Sequence, residues 1–365
     1  QENLSRALGM VGRVVSSRSS LPVLSNVLLS TDAKRLKISA TNLEIGINCW
    51  VGCKVEEDGA ITVPARLFGE FVSSLPAGNI ELATNDLTLK VQTPHYESNI
   101  NGISADEFPL IPEIKNKPAL TLPVEIFRDA LAQVVVAASL DEARPVLSGV
   151  YLYTDEDQLI MVATDSYRLA ERKLKLVSKP AAKLSIIVPA RTMQELSRIL
   201  AETDGNLSMY LSENQIMFET DNIELTSRLI EGQFPNYHQI IPEETETGVE
   251  IDTAEFSRIT KVANLFAREN AGGIKIEIKA GGQIDIISAA SQIGENTSSA
   301  ECVTTGGDGD ISLNARYLAE ALNVIKSPKV SFDISGKLNP CIMRPMSKDD
   351  EHEQDYLHII MPLRT

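Results

Sequence analysis

One short motif recurs three times along the chain at constant spacing. It reads Val-Pro-Ala-Arg at 63–66, Val-Pro-Ala-Arg at 188–191 and Leu-Asn-Ala-Arg at 313–316. Arg66, Arg191 and Arg316 stand 125 residues apart, and a glutamate follows each four residues later, at Glu70, Glu195 and Glu320. Other landmarks keep a similar period. Pro22 to Val27 (PVLSNV) matches Pro145 to Val150 (PVLSGV), and Ala40-Thr41-Asn42 matches Ala163-Thr164-Asp165. Phe108-Pro109 matches Phe234-Pro235, and an Ile-Pro pair follows each, at 111–112 and 241–242. A third copy is more diverged. Solenoid repeats run to roughly 20–50 residues, so a period this long denotes whole domains in tandem. The expected domains are 1–117, 118–243 and 244–365, joined by a proline-bounded stretch at 112–118 and a Glu/Thr-rich one at 242–248.

Each repeat carries the same local signals. An amphipathic helix opens it: Leu4, Leu8, Val11 and Val15 form one stripe, then Phe127, Leu131, Val134 and Ala138, then Phe256, Thr260, Ala263 and, off that spacing, Phe266. Asp252 and Thr253 are N-cap candidates for the third of these helices. Hairpin pairs follow, such as Val27–Ser30 with Leu36–Ser39, Val150–Tyr153 with Leu159–Val162, and Ile274–Ile278 with Ile284–Ile286. The repeated motif starts a second helix, at 64–75, 189–202 and 314–326, with Pro64 and Pro189 where a missing N–H costs nothing. Its Arg and Glu, four apart, share one face. Alternating strands close the repeat. The expected class is α+β, with two helices on one side of antiparallel sheets in each domain.

Catalytic signatures are absent. The sequence has no phosphate-binding GxxxxGK[ST], dinucleotide GxGxxG, zinc HExxH or nucleophile GxSxG. Cys49, Cys53, Cys302 and Cys341 form no CxxC pair, and His95, His238, His352 and His358 are scattered, so no metal or cofactor is expected. The stretch 304–310 (TTGGDGD) lacks a following Lys-Ser/Thr and reads as a hairpin turn, and the acidic run 243–250 reads as a solvated linker. The competing class is a nucleotide-processing enzyme using the acidic clusters, which the missing nucleophile and ligand pairs disfavour. No window approaches the ~18 apolar residues of a membrane span, and the N-terminus is not a signal peptide, so a cytoplasmic protein is expected.

Charge is unevenly placed. The chain carries a net −16, which by itself argues against a polyanion partner. The six expected helices sum to +3, leaving −19 elsewhere. That is a helical face less acidic than the rest, although Arg and Lys also favour helices for their own reasons.

These repeats, with Ala163 to Leu169 (ATDSYRL), Gly232 to Tyr237 (GQFPNY) and the ending Ile359 to Arg364 (IIMPLR), closely resemble the bacterial DNA polymerase III beta subunit family over essentially the whole chain. The resemblance implies a non-catalytic sliding clamp. In such a clamp a head-to-tail homodimer closes six domains into a ring around duplex DNA and tethers the replicative polymerase, the clamp loader and repair proteins through short linear peptides. It also implies a short strand ahead of the first helix, which the sequence as given does not contain. Twelve helices spaced about 8–10 Å apart would line a hole roughly 21–28 Å wide, enough for B-form DNA held by sequence-independent backbone contacts.

Matched positions assign DNA contacts to Arg18 and Arg66, with Arg6, Arg191, Arg258 and Lys261 as further basic helix positions. For Arg66 an intrahelical pair with Glu70 fits equally well. The implied peptide pocket comprises Leu147, Thr164, Ser166, Tyr167, Arg168, Leu169, Pro235, Ile240, Tyr317, Leu338, Met361, Pro362, Leu363 and Arg364. Any of Leu147, Leu169 and Ile240 could instead be core. Gln239 stands where the family usually has arginine. Leu265 and Phe266 match the dimer contact, and in a lone domain they would be core.

Overall fold

The structure is a computed structural model that describes residues 1–15, 21–141, 143–176, 180, 183–267, 271–290, 294–347 and 355–364. The first repeat contains α1 (Glu2–Val11), β1 (Asn26–Asp32), β2 (Arg35–Thr41), β3 (Ile45–Gly52), β4 (Ala60–Pro64), α2 (Ala65–Ser74), β5 (Glu81–Asn85), β6 (Thr88–Gln92) and β7 (Glu97–Asn101). The second contains β8 (Leu120–Pro123), α3 (Val124–Val135), β9 (Gly149–Asp155), β10 (Gln158–Thr164), β11 (Arg168–Lys175), β12 (Ser185–Pro189), α4 (Ala190–Leu200), β13 (Asn206–Leu211), β14 (Gln215–Thr220) and β15 (Ile223–Arg228). The third contains β16 (Thr247–Asp252), α5 (Thr253–Ala267), β17 (Gly273–Lys279), β18 (Gln283–Ala290), β19 (Gly294–Glu301), β20 (Val303–Gly306), β21 (Gly309–Asn314), α6 (Ala315–Val324), β22 (Lys329–Ile334), β23 (Cys341–Met346) and β24 (Tyr356–Ile360). Each repeat thus holds two helices and a set of short antiparallel strands.

Local chemistry accounts for these boundaries. Asp252 accepts the Glu255 backbone N–H at 2.8 Å and starts α5, and Asn314 accepts from the N–H groups of Arg316 and Tyr317 and starts α6. Helix α1 buries Leu4, Leu8 and Val11 but ends at Val11, so Val15 of the expected stripe lies beyond it. In α5 Phe256, Thr260 and Ala263 are buried as their spacing implies. The β1–β2 turn is carried by Ala33 and Lys34, both at positive φ, and the β17–β18 turn uses Gly282 for the same purpose.

The sheets do not stop where the repeats do. Two compact units exist: residues 1–127 with 194–229, and residues 128–193 with 230–365. In the first unit an eight-stranded sheet runs β4-β1-β2-β3-β15-β14-β13-β8. It joins the first repeat to the second where Ile45 to Cys49 pair antiparallel with Ser227 to Ile223. The three-stranded sheet β5-β6-β7 belongs to the same unit, where α1 packs on α2 and on β2 and β3. In the second unit a nine-stranded sheet runs β12-β9-β10-β11-β24-β23-β22-β16-β20, and its seam is β11 against β24. A four-stranded sheet, β19-β18-β17-β21, completes it, with α5 packed on α6, β18 and β19.

One local expectation is corrected. The stretch 304–310 is not a hairpin turn, because β20 pairs with β16 and β21 pairs with β17, in different sheets. The glycines let the chain cross between them. Gly306 has φ +84°, and a side chain there would collide with the Glu246 carbonyl. Of the acidic run, Glu243 to Glu246 is exposed as a linker should be, but Thr247 already begins β16.

Candidate peptide groove, basic helix positions and interface

The turn between β10 and β11 is built by two side chains. Thr164 Oγ1 donates to the Arg168 carbonyl at 2.7 Å and accepts the Ser166 N–H at 3.2 Å. Asp165 Oδ1 accepts the N–H groups of Tyr167 and Arg168 at 2.9 and 3.0 Å. This bonding holds Ser166 at φ +76°, a conformation that needs such support in a residue other than glycine. Tyr167 is thereby left projecting, 61% exposed.

Strand pairing brings the C-terminal segment to the same place. Leu169 pairs with Ile359 and Arg168 with Ile360, after which the Met361 N–H donates to the Tyr167 carbonyl at 2.8 Å. The Leu363 N–H donates to Ser312, just before α6, also at 2.8 Å. Met361, Pro362 and Leu363 therefore lie half-buried between the turn and the start of α6, with Arg364 exposed beyond them.

Arg168 ties these pieces together. Only 7% exposed, its guanidinium pairs with Asp165 at 3.2 Å and with Glu320 of α6, and it stacks on the Tyr317 ring at 4.4 Å. Arg316 covers the same ring at 5.3 Å and lies 3.9 Å from Glu320. Tyr317 is thus held between two guanidiniums.

Behind the turn Leu169 is fully buried in a cluster with Ile160, Val162, Phe234, Tyr237, Ile342 and Ile359, so it supports the groove from the core. The 234–237 segment is fastened by its tyrosine. The Tyr237 hydroxyl donates to Glu171 and meets the Tyr153 hydroxyl at 2.7 Å, and burial, then the bond to Glu171, raises its pKa. That places exposed Pro235 and Ile240, the latter 37% exposed, while Leu147 is half-buried. Gln239, Ile240 and Pro242 line a cleft of about 400 Å³ against Ser335, Asn339 and Pro340, and Leu338 in that facing loop is 74% exposed. Large apolar side chains are thus left exposed at Tyr167, on this rigid turn, and at Ile240 and Leu338, beside the cleft.

The basic helix positions divide by whether they are already paired. Arg66 pairs with Glu70 at 2.8 Å and Arg258 with Glu255 at 2.6 Å. Arg6, Arg191 and Lys261 are exposed, with no ion pair among the described residues. The middle repeat breaks the Arg–Glu pattern because Arg198 takes Glu195, leaving Arg191 free. Arg18 lies outside the described residues. Leu265 is 55% exposed and Phe266 half-buried, so Leu265 is a surface residue rather than core.

Sequence reading missed Asp165, Glu320 and Arg144, the last with its guanidinium 3.3 Å from Ser166 Oγ, as residues that build this turn and its surroundings. Asp165 and Glu320 were visible as repeat landmarks, but nothing in the repeat tells which copy faces a groove. Among the described residues no group of three or more His, Cys, Asp or Glu could hold a metal ion, and no helix is long and apolar enough to cross a membrane.

What these features define is a scaffold of three tandem repeats, each with two helices and antiparallel strands. Comparison with known proteins makes this specific. The N-terminal, central and C-terminal domains of the DNA polymerase III beta subunit match residues 1–112, 121–236 and 238–364. The beta sliding clamp of Staphylococcus epidermidis is 30% identical over 368 residues, covering 97% of this chain and 95% of that protein. That of Staphylococcus aureus is 29% identical over 364 residues with the same coverage. The crystal structure of the DNA polymerase sliding clamp from Bacillus subtilis superposes with a TM-score of 0.92 at 27% identity, covering 100% of this chain and 97% of that one. The Pseudomonas aeruginosa DNA polymerase III subunit beta gives 0.90 at 27%, covering 100% and 98%. The chain belongs to the DNA polymerase III beta subunit family, the beta sliding clamps. It is a processivity clamp of DNA replication and not a catalyst.

Proposed function

We propose that two copies of this chain close head to tail around duplex DNA, and that each tethers replication and repair proteins by gripping a short peptide in the groove between Tyr167, Tyr317 and Met361. Holding DNA topologically needs no base recognition and no chemistry, which fits a chain that carries neither a base-reading motif nor a catalytic constellation. The domains that do this are 1–117, 118–243 and 244–365.

The observation that supports the peptide site best is the combination of exposure and rigidity there. Tyr167 and Leu338 stay open to solvent while Thr164, Asp165 and Arg168 fix the backbone beneath. Leu147, Ser166, Leu169, Pro235, Ile240, Pro362, Leu363 and Arg364 complete this assignment. Arg6, Arg66, Arg191, Arg258 and Lys261, with Arg18, are assigned to the DNA backbone, where contacts by Arg and Lys release counterions and make binding salt-sensitive. Leu265 and Phe266 are assigned to the subunit contact. Helix α5 packs beside β19, an edge strand whose outer side has no partner strand among the described residues, so a neighbouring subunit could extend that sheet.

The test is topological. Loaded on nicked circular DNA, the protein should stay bound through gel filtration and be lost once the circle is linearised. Equal retention on both forms would exclude a sliding ring.

A further inference from the structure

The two units differ on the helix side of their sheets, where repetition predicts they should agree. The stripes Leu4, Leu8, Val11 and Phe127, Leu131, Val134 match Arg6 of α1 with Asp129 of α3. In the second unit Asp129 pairs with Lys326, just past α6, at 2.9 Å, and the Tyr356 hydroxyl donates to the Gln133 carbonyl of α3 at 3.4 Å. Neither link has a counterpart in the first unit. The Arg191–Arg316 spacing puts Ala201 where Lys326 stands. Ile223, paired with Cys49, occupies the place of Tyr356, which pairs with Arg172. Smaller side chains and a missing ion pair leave a cleft of about 620 Å³ between α1, the end of β3, the β14–β15 turn and residues 202–205 just past α4.

The cleft divides by chemistry. Met10 and Ile223 are buried and apolar, whereas Glu202, Asp204 and Asp221 are exposed at its edge against a single cation, Arg6. None of these four makes an ion pair among the described residues. The C-terminus of α4, an eleven-residue helix, adds the negative end of its dipole. Independent of the carboxylates is Thr220, which also lines the cleft. Phe218, two residues earlier on β14, faces the helices, with its ring 6.2 Å from Phe127 of α3, and alternation turns Thr220 the same way. Thr220 is only 8% exposed, and its hydroxyl has no hydrogen-bond partner. A buried orphan of this kind favours a ligand that supplies the missing bond.

We propose that this cleft binds a small organic polyamine, with methylenes on Met10 and Ile223 and ammonium groups on the three carboxylates and the Thr220 hydroxyl. A metal ion does not suit it, because among the described residues no three carboxylates, histidines or cysteines converge as an ion requires. A chain with ammonium groups several bonds apart reaches carboxylates that one ion cannot bridge.

Isothermal titration calorimetry of the full-length protein with spermidine at low salt tests this. One saturable site per chain is expected, weakened severalfold by 0.3 M salt. Exposed charge pairs are individually weak, so Asp204→Asn and Asp221→Asn should each weaken binding about two- to fivefold, and together about tenfold. Arg6→Gln should tighten it about twofold, and Thr220→Val should weaken it about threefold. Glu81→Gln, which removes an exposed carboxylate from β5 in the same unit, should change nothing. The absence of a saturable site overturns the proposal, as does a double Asp variant that binds like the unmodified protein. A loss as large in Glu81→Gln shows diffuse attraction to an acidic protein and overturns it too. Displacement of spermidine by magnesium beyond that caused by sodium at equal ionic strength overturns the choice of an organic ligand. Should Thr220→Val fail to fold, the exposed carboxylate variants still decide.

Discussion

Leu265 offers a sharp separation between folding and assembly. On α5 its neighbours Ala263 and Ala267 are fully buried, while Leu265 itself is 55% exposed. Replacing it should leave the isolated chain within about 0.5 kcal/mol of its original stability, as for other surface positions. In a head-to-tail ring each of the two interfaces contains one Leu265. Fully burying a leucine side chain is worth about 2 kcal/mol, and roughly half of that remains available here. Leu265→Ala should therefore cost about 1 kcal/mol per interface and about 2 kcal/mol per ring, close to a thirtyfold rise in the dimer dissociation constant. Leu265→Asp adds the desolvation of a carboxylate in each contact, several kcal/mol more, and should shift dissociation by over about a thousandfold. Sedimentation velocity across a concentration series reads the assembly, and circular dichroism melting reads the fold. A Leu265→Asp protein that remains dimeric would remove Leu265 from the interface. One that loses its secondary structure would show that its exposure does not describe its role.

Three further outcomes follow from the second unit and the helices. Arg168→Met leaves Asp165 without its cation and Glu320 with only Arg316, 3.9 Å away. With Glu320 partly exposed the cost should be about 2–3 kcal/mol in urea unfolding, together with weaker peptide binding, and a loss under about 0.5 kcal/mol would refute the clamping role. His358 is fully buried beside Tyr356, and burial, then the Arg168 charge, lowers its pKa from 6.5 to about 3. The unfolded chain takes up a proton below 6.5 that the folded chain refuses, so this stability is whole above pH 6.5 and is lost as pH falls toward 3, by up to about 1.4 kcal/mol per pH unit. Urea midpoints from pH 6.5 to 4.5 should fall more steeply for the original protein than for His358→Gln, and parallel lines would contradict this. Arg191→Gln should flatten the salt dependence of DNA binding by up to about 1.8 for two copies in a ring, with Arg66→Gln doing less because Glu70 already engages Arg66; an unchanged slope for Arg191→Gln would remove it from the DNA surface.

Much of the architecture was legible because the repeat marks helix starts and hairpins by local chemistry. Pro64 and Pro189, the cap at Asp252, and the alternating strands all act within a few residues of themselves. What was not legible is non-local. No local pattern announces that β3 pairs with β15 or β11 with β24, because an edge strand reads the same whichever strand it meets. The glycine-rich 304–310 stretch fits a hairpin or a crossing between sheets equally well by composition, and only the partners of β20 and β21 distinguish them. In the site, Tyr167 and Met361 were readable from a family resemblance. The engagement of Arg168 with Glu320 across 152 residues was not, because it depends on the β11–β24 seam.

The two copies of the β-turn show where repetition ends and function begins. Thr41 and Asn42 reproduce the Thr164 and Asp165 bonding in full: Thr41 Oγ1 donates to the Ile45 carbonyl at 2.9 Å, Asn42 Oδ1 accepts the N–H groups of Glu44 and Ile45, and Leu43 sits at φ +76° as Ser166 does. The next strand docks alike, with the Arg228 N–H on the Glu44 carbonyl at 3.0 Å as Met361 docks on Tyr167. The backbone is therefore the same scaffold twice, and the side chains decide its use. Where the second copy presents Tyr167 and Met361, the first presents Glu44 and Arg228. Where Leu169 supports the groove from below, Gly46 is overlain by the Ile111 side chain, close enough that a Cβ on Gly46 would lie 2.8 Å from it. The first turn thus carries charge at Glu44 and Arg228 and has Ile111 packed over Gly46, while Leu43 on it stays 53% exposed. A duplicated fold supplied two equivalent seams, and three matched positions, Glu44 against Tyr167, Gly46 against Leu169 and Arg228 against Met361, set their surfaces apart.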